Sequence, residues 1–295
     1  METYILTVDD KGEVRLDIFL AGALPFCPSR NFAQNLIEKK NVTVNGKHCK
    51  SHYKMHEGDK VVAVVEAQKP CTVEPENIPL DIFYEDEDLI VVNKPIGMTV
   101  HPAAGCYSGT LVNALVFHQE NLSSVNDALR PGIVHRLDKE TSGLILVAKN
   151  NMVHAKLAKQ FEKRIIKKQY VAVVQGLVKF DEGLVDAPLG RHPIHRQKRA
   201  VLFADAKEAQ TVYRVLKRFQ KTTLISLMPK TGRTHQLRVH MAYLGHPILG
   251  DEKYGKKNSF KRLALHAQRI GFYHPSFSRY MEFSSLTPKE FLSPD

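Results

Sequence analysis

The sequence predicts an α+β protein in which a small α/β unit precedes a larger domain of mixed, mainly antiparallel strands. Three observations support this fold class. Short apolar stretches bounded by turn residues recur along the chain and outnumber the helical patterns. Residues 67–79 contain three prolines and no apolar periodicity, which is typical of a linker. The chain has no internal repeat of 20–50 residues, which excludes a solenoid.

The small unit is predicted over residues 12–66. Ser29 is a plausible N-cap for the second of its helices, because a serine hydroxyl can accept from a free backbone N–H there. Asn45-Gly46 predicts a tight turn, since both residue types tolerate left-handed backbone conformations. The predicted elements are helices over 16–24 and 30–40 and strands over 42–44 and 61–65.

The larger domain is predicted over residues 80–295. Its strand signals are short, β-branched and strongly apolar, whereas its one clear helical pattern is basic on the outer face. Alternation of such strands with few helices favours a mainly antiparallel sheet. The strands are predicted at 89–92, 144–148, 170–174, 212–216 and 224–228, and the helix at 153–164.

Charge is distributed unevenly along the chain. The formal net charge is +11, but residues 1–66 are neutral overall and residues 67–150 carry an excess of acidic residues. Residues 151–295 contain 27 Lys or Arg and 11 Asp or Glu. A surface evolved only for solubility would mix both signs, so this half predicts a polyanionic partner.

Several classes of protein are excluded or disfavoured by composition. The four cysteines, Cys27, Cys49, Cys71 and Cys106, form no C-x-x-C pair, which disfavours a cysteine-based metal or redox site. The N-terminus lacks the basic and apolar regions of a signal peptide, and no apolar run approaches the length of a membrane span. We therefore expect a cytoplasmic protein with no membrane partner.

Ionisable residues are densest in GIVHRLDKETSG at 132–143. His135, Arg136, Asp138 and Lys139 cluster immediately before a predicted buried strand. A carboxylate held there beside cations suits a nucleophile or the stabiliser of a developing positive charge. A surface turn with incidental charges remains the alternative from the residues alone.

Two further segments carry candidate functional residues. TGRTHQLRVH at 231–240 contains Arg233, His235, Arg238 and His240. As a strand, it would place the first two on one face and the last two on the other. A metal site built on His235 and His240 is an alternative, but their H-x-x-x-x-H spacing is not usual for metal ligands. Tyr170 opens a predicted strand directly after basic residues, where a tyrosine most often packs at the edge of a core.

These segments together resemble a known family. The signature segments of the RluA-type pseudouridine synthases are similar, in the same order, to HRLDKETSG at 135–143, KKQYVA at 167–172, TGRTHQLRVH at 231–240 and LALHA at 263–267. VVNKPIGMTVHP at 91–102 resembles the family's entry into the catalytic domain, and residues 12–65 resemble its S4-like RNA-binding domain. Within the family, the large ribosomal subunit synthase D branch is most similar, with Arg199 as a departure where that branch more often has Met.

The resemblance implies an enzyme that isomerises uridine in structured RNA. Such enzymes break the bond between uracil and the anomeric carbon, turn the base and rejoin it through a ring carbon. No cofactor or metal is implied, because the leaving group is also the group that returns. Asp138 would attack the ribose or stabilise its cationic transition state, as a carboxylate does in glycoside chemistry. Tyr170 would pack on the flipped base and act as general base, and Arg233 would pair with Asp138.

The resemblance also implies RNA contacts in both domains. Arg136, predicted on the same strand face as Asp138, would fill the gap left by the flipped uridine, with His135 beside it. Leu265 would pack beneath the uracil. In the S4-like domain, a basic face is predicted from Arg15, Arg30, Lys39 and Lys40. The expected partner is large-subunit ribosomal RNA or its assembly intermediate, bound by a monomer.

Two other classes of function remain open from the sequence. A non-catalytic RNA-binding protein could share the fold, but its catalytic segment would be expected to be broken, and here it is intact. A hydrolase of nucleic-acid glycosidic bonds would want a second carboxylate to activate water, for which Glu140 is the near candidate.

Overall fold

The computed structural model describes residues 2–9, 14–24, 30–65, 73–102, 106–123, 129–255 and 260–294. The chain divides into two units, residues 1–71 and residues 72–295. No helix in the described ranges is long and apolar enough to cross a membrane. Ser29 lies outside the described residues, as do residues 67–72 of the predicted linker.

The N-terminal unit packs two helices on a three-stranded antiparallel sheet. The sheet order is β1-β3-β2. Its elements are β1 Glu2–Thr7, α1 Leu16–Ala23, α2 Arg30–Glu38, β2 Val42–Val44 and β3 Lys60–Val65. The two helices and the last two strands were predicted. Strand β1 was not, and it pairs with β3 although it precedes residue 12.

Local sequence explains the elements of this unit. The apolar spacing of α1 and α2 buries Leu16, Leu20 and Ile37 in one core with the inward side chains of β3. Asn45 and Gly46 have φ values of 49° and 77°, and Val44 and Lys47 exchange backbone hydrogen bonds across them. This is the two-residue hairpin turn predicted from their side chains.

A buried carboxylate ties α1 to α2. The side chain of Asp17 is fully buried and accepts hydrogen bonds from Arg15, Arg30 and Gln34. Burial alone would raise the pKa of Asp17, but the hydrogen bonds from Gln34, Arg30 and Arg15 outweigh it and lower the pKa to about 2. The predicted basic face is therefore partly neutralised, since two of its arginines are paired with Asp17 while Lys39 is exposed.

Replacing Asp17 by Ala should destabilise the N-terminal unit by about 2–4 kcal/mol at neutral pH, because four hydrogen bonds from three side chains to a buried anion are lost. Since the folded pKa is depressed from 3.8 to about 2, this contribution is fully present above pH 3.8 and is lost as the pH falls through about 2. Chemical denaturation of the full-length chain at several pH values measures it. A difference from wild type that does not shrink between pH 4 and pH 2 would contradict the role of the charge.

The larger unit is built on one nine-stranded sheet. Eight strands follow the order β4-β5-β6-β13-β7-β12-β11-β8, and β14 pairs with β13. All pairings are antiparallel except that of β13 with β6. The strands are β4 Ile82–Glu85, β5 Leu89–Lys94, β6 Ser142–Ala148, β7 Lys167–Gln175, β8 Glu182–Asp186, β11 Gln210–Arg218, β12 Thr222–Pro229, β13 Leu265–Tyr273 and β14 Tyr280–Ser284, with a separate hairpin of β9 Leu189–Arg191 and β10 Arg199–Val201. The predicted mixed, mainly antiparallel domain is confirmed.

Helices cover both faces of the sheet around β5 and β6. Alternate residues of these strands belong to two separate cores, as the two-residue period of a strand requires. One core includes α3 Leu111–His118, and the other includes α4 Asn151–Glu162, where a helix was predicted. The remaining helices are α5 Gln236–Tyr243 and a short 3-10 helix, Lys289–Phe291.

The second half of the predicted linker packs on the larger unit. Val73 is buried in the core that contains α3. The backbone carbonyl of Glu74 accepts from Asn113, and the carboxylate of Glu76 accepts from the backbone N–H of Gly109. Residues 73–79 therefore belong structurally to the larger unit, although their prolines and lack of periodicity predicted a linker.

The parallel pairing of β6 with β13 brings two distant segments together. Gly143, just inside β6, has a φ of 113°, and a Cβ on it would lie 2.3 Å from the backbone oxygen of Ala267. Glycine is therefore required for this close approach. The consequence is that the segment before β6 and the start of β13 border the same space, which is where the candidate site lies.

Candidate active site

A cavity of about 290 Å³ opens where four segments of the larger unit meet. This volume is at the low end of the range for ligand pockets. The segments are the loop before β6, the start of β7, the chain after β12 and the start of β13. The lining side chains include His135, Arg136, Asp138, Phe161, Lys168, Tyr170, Arg233, His235, Arg238 and Leu265.

Asp138 lies on a loop and not on a strand. The backbone N–H of Thr141 donates to the carbonyl of Asp138 at 3.0 Å, which closes a tight turn just before β6. The predicted shared strand face of Arg136 and Asp138 is therefore wrong, because β6 begins only at Ser142. Arg136 is nevertheless exposed at the wall of the pocket, whereas the Asp138 side chain is only about 20% exposed.

His135 holds this loop against the protein. Its Nε2 accepts from the backbone N–H of Leu146 at 2.8 Å, and its ring lies 4.7 Å from the ring of Phe161. Burial, with a smaller effect of the nearby Lys168 charge, lowers the pKa of His135 to about 3. The imidazole is therefore neutral, and its hydrogen bond to Leu146 holds the loop in place. The ring also lines the pocket. Its predicted contact with RNA stays a prediction.

A buried lysine supports the same loop from β5. Lys94 is completely buried, and its ammonium donates to the carbonyls of Pro95, Met98 and Lys139 at 2.8, 2.9 and 3.2 Å. Burial lowers the pKa of Lys94 to about 8, although the charges of Glu140 and Asp138 act in the opposite direction. All three ammonium protons have acceptors, one of them next to Asp138 in sequence. No role was predicted for Lys94.

The segment 231–240 is a turn followed by a helix. Helix α5 begins at Gln236, so the strand considered for this segment is not formed. The Gln236 side-chain oxygen accepts from the Thr231 hydroxyl and the Arg233 backbone N–H, which fixes the turn ahead of the helix. His235 takes a left-handed conformation with φ of 59°. The helical period then places Arg238 on the face turned towards Asp138.

Arg238 is the guanidinium that pairs with Asp138. Its Nη1 lies 3.5 Å from Asp138 Oδ2, and its Nε and Nη2 both donate to Asp251 at 2.7 Å. The predicted pairing of Arg233 with Asp138 is wrong. The Nε of Arg233 donates instead to the backbone carbonyl of Glu208 at 3.0 Å, because the turn directs it along the pocket wall.

Asp251 and Tyr254 form an outer layer around these charges. The Asp251 carboxylate is fully buried and also accepts the backbone N–H groups of Lys253 and Tyr254. The Tyr254 hydroxyl shares a 2.7 Å hydrogen bond with His235 Nδ1, and His235 Nε2 lies 3.9 Å from Asp138. Burial lowers the pKa of His235, against the effect of Asp138. No role was predicted for Asp251 or Tyr254, and nothing local in HPILGDEKYG at 246–255 indicates these contacts.

The pocket also contains an aromatic ring and an apolar floor. Tyr170 is half-buried on β7, and burial raises its pKa further above 10.0, with a smaller contribution from the Asp138 charge. Its phenol is therefore protonated at neutral pH. Leu265 is buried at the start of β13. The structure thus brings Asp138, Tyr170, Arg136 and Leu265, which lie in three separate segments of the sequence, to one pocket.

The chemical character of the site follows from the carboxylate of Asp138. Asp138 is the one Asp or Glu among the described residues that line this pocket. Glu140, the sequence candidate for a second carboxylate, is exposed and lies outside the lining. Within the described ranges, no three His, Cys, Asp or Glu side chains are grouped so as to hold a metal ion. His240 is bonded to Thr211 and to the carbonyl of Ala187.

Comparison with known proteins matches both units. A model of the RNA pseudouridylate synthase family matches residues 88–243, and a model of the S4 domain matches residues 14–61. An Aquifex aeolicus protein named as an uncharacterized RNA pseudouridine synthase is 48% identical over 95% of this chain and 92% of its own length. A ribosomal large subunit pseudouridine synthase D of Zymomonas mobilis is 46% identical over 75% of this chain and 74% of its own length.

A solved structure agrees with these matches. The human protein described as RNA pseudouridylate synthase domain containing 1 superimposes with a TM-score of 0.61 at 26% identity, covering 74% of this chain and 87% of that one. The family match spans the pocket segments up to α5, and the relatives extend over most of the chain. The protein is therefore a member of the RNA pseudouridylate synthase family, an isomerase of uridine in RNA that carries an N-terminal S4 domain.

Proposed function

We propose that the protein converts uridine to pseudouridine in large-subunit ribosomal RNA or in an assembly intermediate of that subunit. Asp138 acts at the anomeric carbon after the uridine has been flipped into the pocket. The observation that carries this proposal is one ionisable carboxylate, held beside Arg238 in a small pocket. The ribosomal substrate is supported by relatives named ribosomal large subunit pseudouridine synthase D, among them one 41% identical over 94% of this chain.

The pocket suits isomerisation better than hydrolysis. Breaking the bond to uracil develops positive charge on the ribose, which a single carboxylate can stabilise or attack. Hydrolysis would also need a base to activate water, and the described lining offers no second carboxylate for that task. The guanidinium of Arg238 lies 3.5 Å from the Asp138 carboxylate and is itself anchored by the buried Asp251.

The remaining side chains are assigned to base and ribose positioning. Leu265 provides an apolar surface for the uracil, and the Tyr170 ring stacks on the flipped base. Tyr170 would act through its protonated hydroxyl and not as a preformed phenolate, because its pKa is raised. Arg136 projects from the exposed rim and fills the space vacated in the RNA.

The N-terminal S4 domain is assigned to RNA docking. Its described basic side chains include the exposed Lys39 and the half-exposed, Asp17-paired Arg15 and Arg30. The larger unit contributes most of the favourable charge, since residues 151–295 hold the excess of Lys and Arg. Counterion release on contact with phosphates would make binding strongly salt-dependent.

Pseudouridine mapping of ribosomal RNA tests the proposal. RNA from cells with and without the protein is compared position by position, and purified protein is then added to the unmodified RNA and to subunit precursors. We expect specific large-subunit uridines to become pseudouridine with no change in mass. Release of free uracil would indicate a hydrolase. Modification confined to other RNAs would overturn the ribosomal substrate.

Replacing Tyr170 by Phe should keep the fold and the stacking surface but slow turnover by about 10²–10⁴-fold, the usual contribution of a proton-transferring group. Single-turnover kinetics at saturating enzyme measures this loss. Since the pKa of Tyr170 is raised above 10.0, the pH dependence of the wild-type rate should show no ionisation of Tyr170 below pH 10. Full activity of the Phe variant would leave Tyr170 with a packing role alone.

A further inference from the structure

A second, larger cavity adjoins the catalytic pocket. Its volume is about 1040 Å³, and it shares a wall with the pocket at Phe161, Lys168 and residues 229, 231, 232 and 233. Among the described residues that line it, six are basic and two, Glu162 and Glu282, are acidic. We call this cavity the basic groove and define it by Arg164, Lys167, Lys168, Lys230, Arg233 and Arg269.

Four of the six cations in the basic groove have no carboxylate partner within the part of the chain that the structure describes. Arg164 pairs with Glu208 at 3.3 Å and Arg269 pairs with Glu282 at 3.0 Å. Within the described ranges, no such ion pair is formed by the other four, Lys167, Lys168, Lys230 and Arg233. Repulsion among such neighbouring cations is relieved when an anion binds between them.

Lys168 lies at the junction of the groove and the pocket. It lines both cavities, it is half-buried, and its ammonium is 6.0 Å from the ring centre of Phe161. Burial lowers the pKa of Lys168, which reflects the cost of holding this charge away from water without a counterion. An anion at the mouth of the pocket would offset that cost.

We propose that the basic groove binds the phosphates of the nucleotides that adjoin the target uridine on one side, with Lys168 contacting the phosphate nearest the flipped nucleotide. This assignment rests on the proposed function, since the uridine must occupy the pocket for its neighbours to enter the groove. The pocket has a volume of about 290 Å³, whereas the groove beside it is more than three times as large. The RNA strand therefore leaves the pocket along Lys168 and runs past Lys167 and Lys230.

A matched pair of double variants tests this assignment. Lys167→Ala with Lys230→Ala removes two exposed cations of the groove. Lys179→Ala with Lys217→Ala removes two exposed lysines of the same unit that lie outside it. Lys179 and Lys217 lie over Phe180 and Phe219, as Lys167 lies over Tyr280. Both double variants lower the net charge of the full-length protein by the same amount.

The readouts are RNA affinity as a function of salt and single-turnover rate at saturating enzyme. For the groove variant we expect an affinity loss of about tenfold and a salt slope reduced by about 1.4, as for two single-strand phosphate contacts. Its saturated rate should equal that of wild type. The control variant should keep a near wild-type slope. Equal losses in the two double variants would overturn the proposal, because the effect would then belong to overall charge.

Substrate RNAs shortened on either the 5′ or the 3′ side of the target uridine identify the flank. The loss of RNA affinity caused by Lys167→Ala with Lys230→Ala should vanish for one of the shortened RNAs, and it should persist for the other. Lys168→Ala should weaken binding of both, since it contacts the nucleotide nearest the pocket. A loss of RNA affinity that is unchanged by both truncations would overturn the proposal. Pseudouridine formation by wild type in the same RNA is scored separately, so a wrong substrate is distinguished from a wrong groove.

Discussion

Replacing Asp138 by Asn should abolish pseudouridine formation, with a loss of at least about 10⁴-fold in single-turnover rate, the scale seen when a nucleophile is removed. The carboxylate is the one acidic group among the described residues of the pocket wall. The amide has nearly the same size and can still close the Asp138–Thr141 turn through its backbone. RNA affinity should stay within a few-fold of wild type. The substitution removes a negative charge that repels phosphate, so it takes away no favourable contact with the RNA backbone.

Glu140→Gln provides the matched control for this change. It removes one negative charge from an exposed side chain of the same loop, two residues from Asp138 and outside the pocket lining. We expect its turnover to remain close to wild type, with a thermal transition like that of Asp138→Asn. Near wild-type turnover by the Asn variant, or an equal loss in both variants, would remove Asp138 from its assigned role.

Replacing Arg238 by Lys should lower the saturated single-turnover rate by about 10²-fold, the scale of a misplaced reacting group. Lysine keeps the positive charge that the buried Asp251 needs, so the variant should fold. It cannot span the two carboxylates, since Arg238 uses Nε and Nη2 for Asp251 and Nη1 for Asp138. When the saturated single-turnover rate and the RNA affinity are measured separately, the loss should appear in the rate.

The variant to compare with Arg238→Lys is Arg233→Ala. Arg233 lines the same pocket but bonds the carbonyl of Glu208 and not Asp138. We expect it to weaken RNA binding and reduce the salt slope by about 0.7, with the saturated rate preserved. Asp251→Asn should resemble Arg238→Lys, although Asp251 does not line the pocket, because it positions the guanidinium. A saturated rate that falls with Arg233→Ala and survives Arg238→Lys would reverse the two roles.

Local features of the sequence predicted the elements whose signal is short-range. The Asn45-Gly46 turn, helix α2 and helix α4 follow from turn chemistry and apolar period, which neighbouring residues set on their own. The acidic residue and aromatic ring of the site were also predicted, because each lies within a long and specific segment. The match to the pseudouridylate synthase family confirmed the resemblance from which those assignments came.

Segment 231–240 shows why local reasoning failed elsewhere. Read as a strand, it directs Arg233 and Arg238 to opposite faces, and no local feature decides which of them meets Asp138. The side chain of Gln236 bonds Thr231 and the Arg233 backbone and so starts a helix there. That helix carries Arg238 to a carboxylate 100 positions away in the chain.

The sequence by itself therefore determined the class of the two domains and the family, since these depend on composition, period and motif order, and it led us to propose Asp138 as the reactive carboxylate. Only the tertiary structure decided which cations act on that carboxylate and which are neutralised. Arg238, Lys94 and Asp17 acquire their roles from partners brought close by packing, at Asp251, at the carbonyl of Lys139 and at Arg30. The strength of a charge depends on burial and on the distance to its partner, and neither is a property of the local sequence.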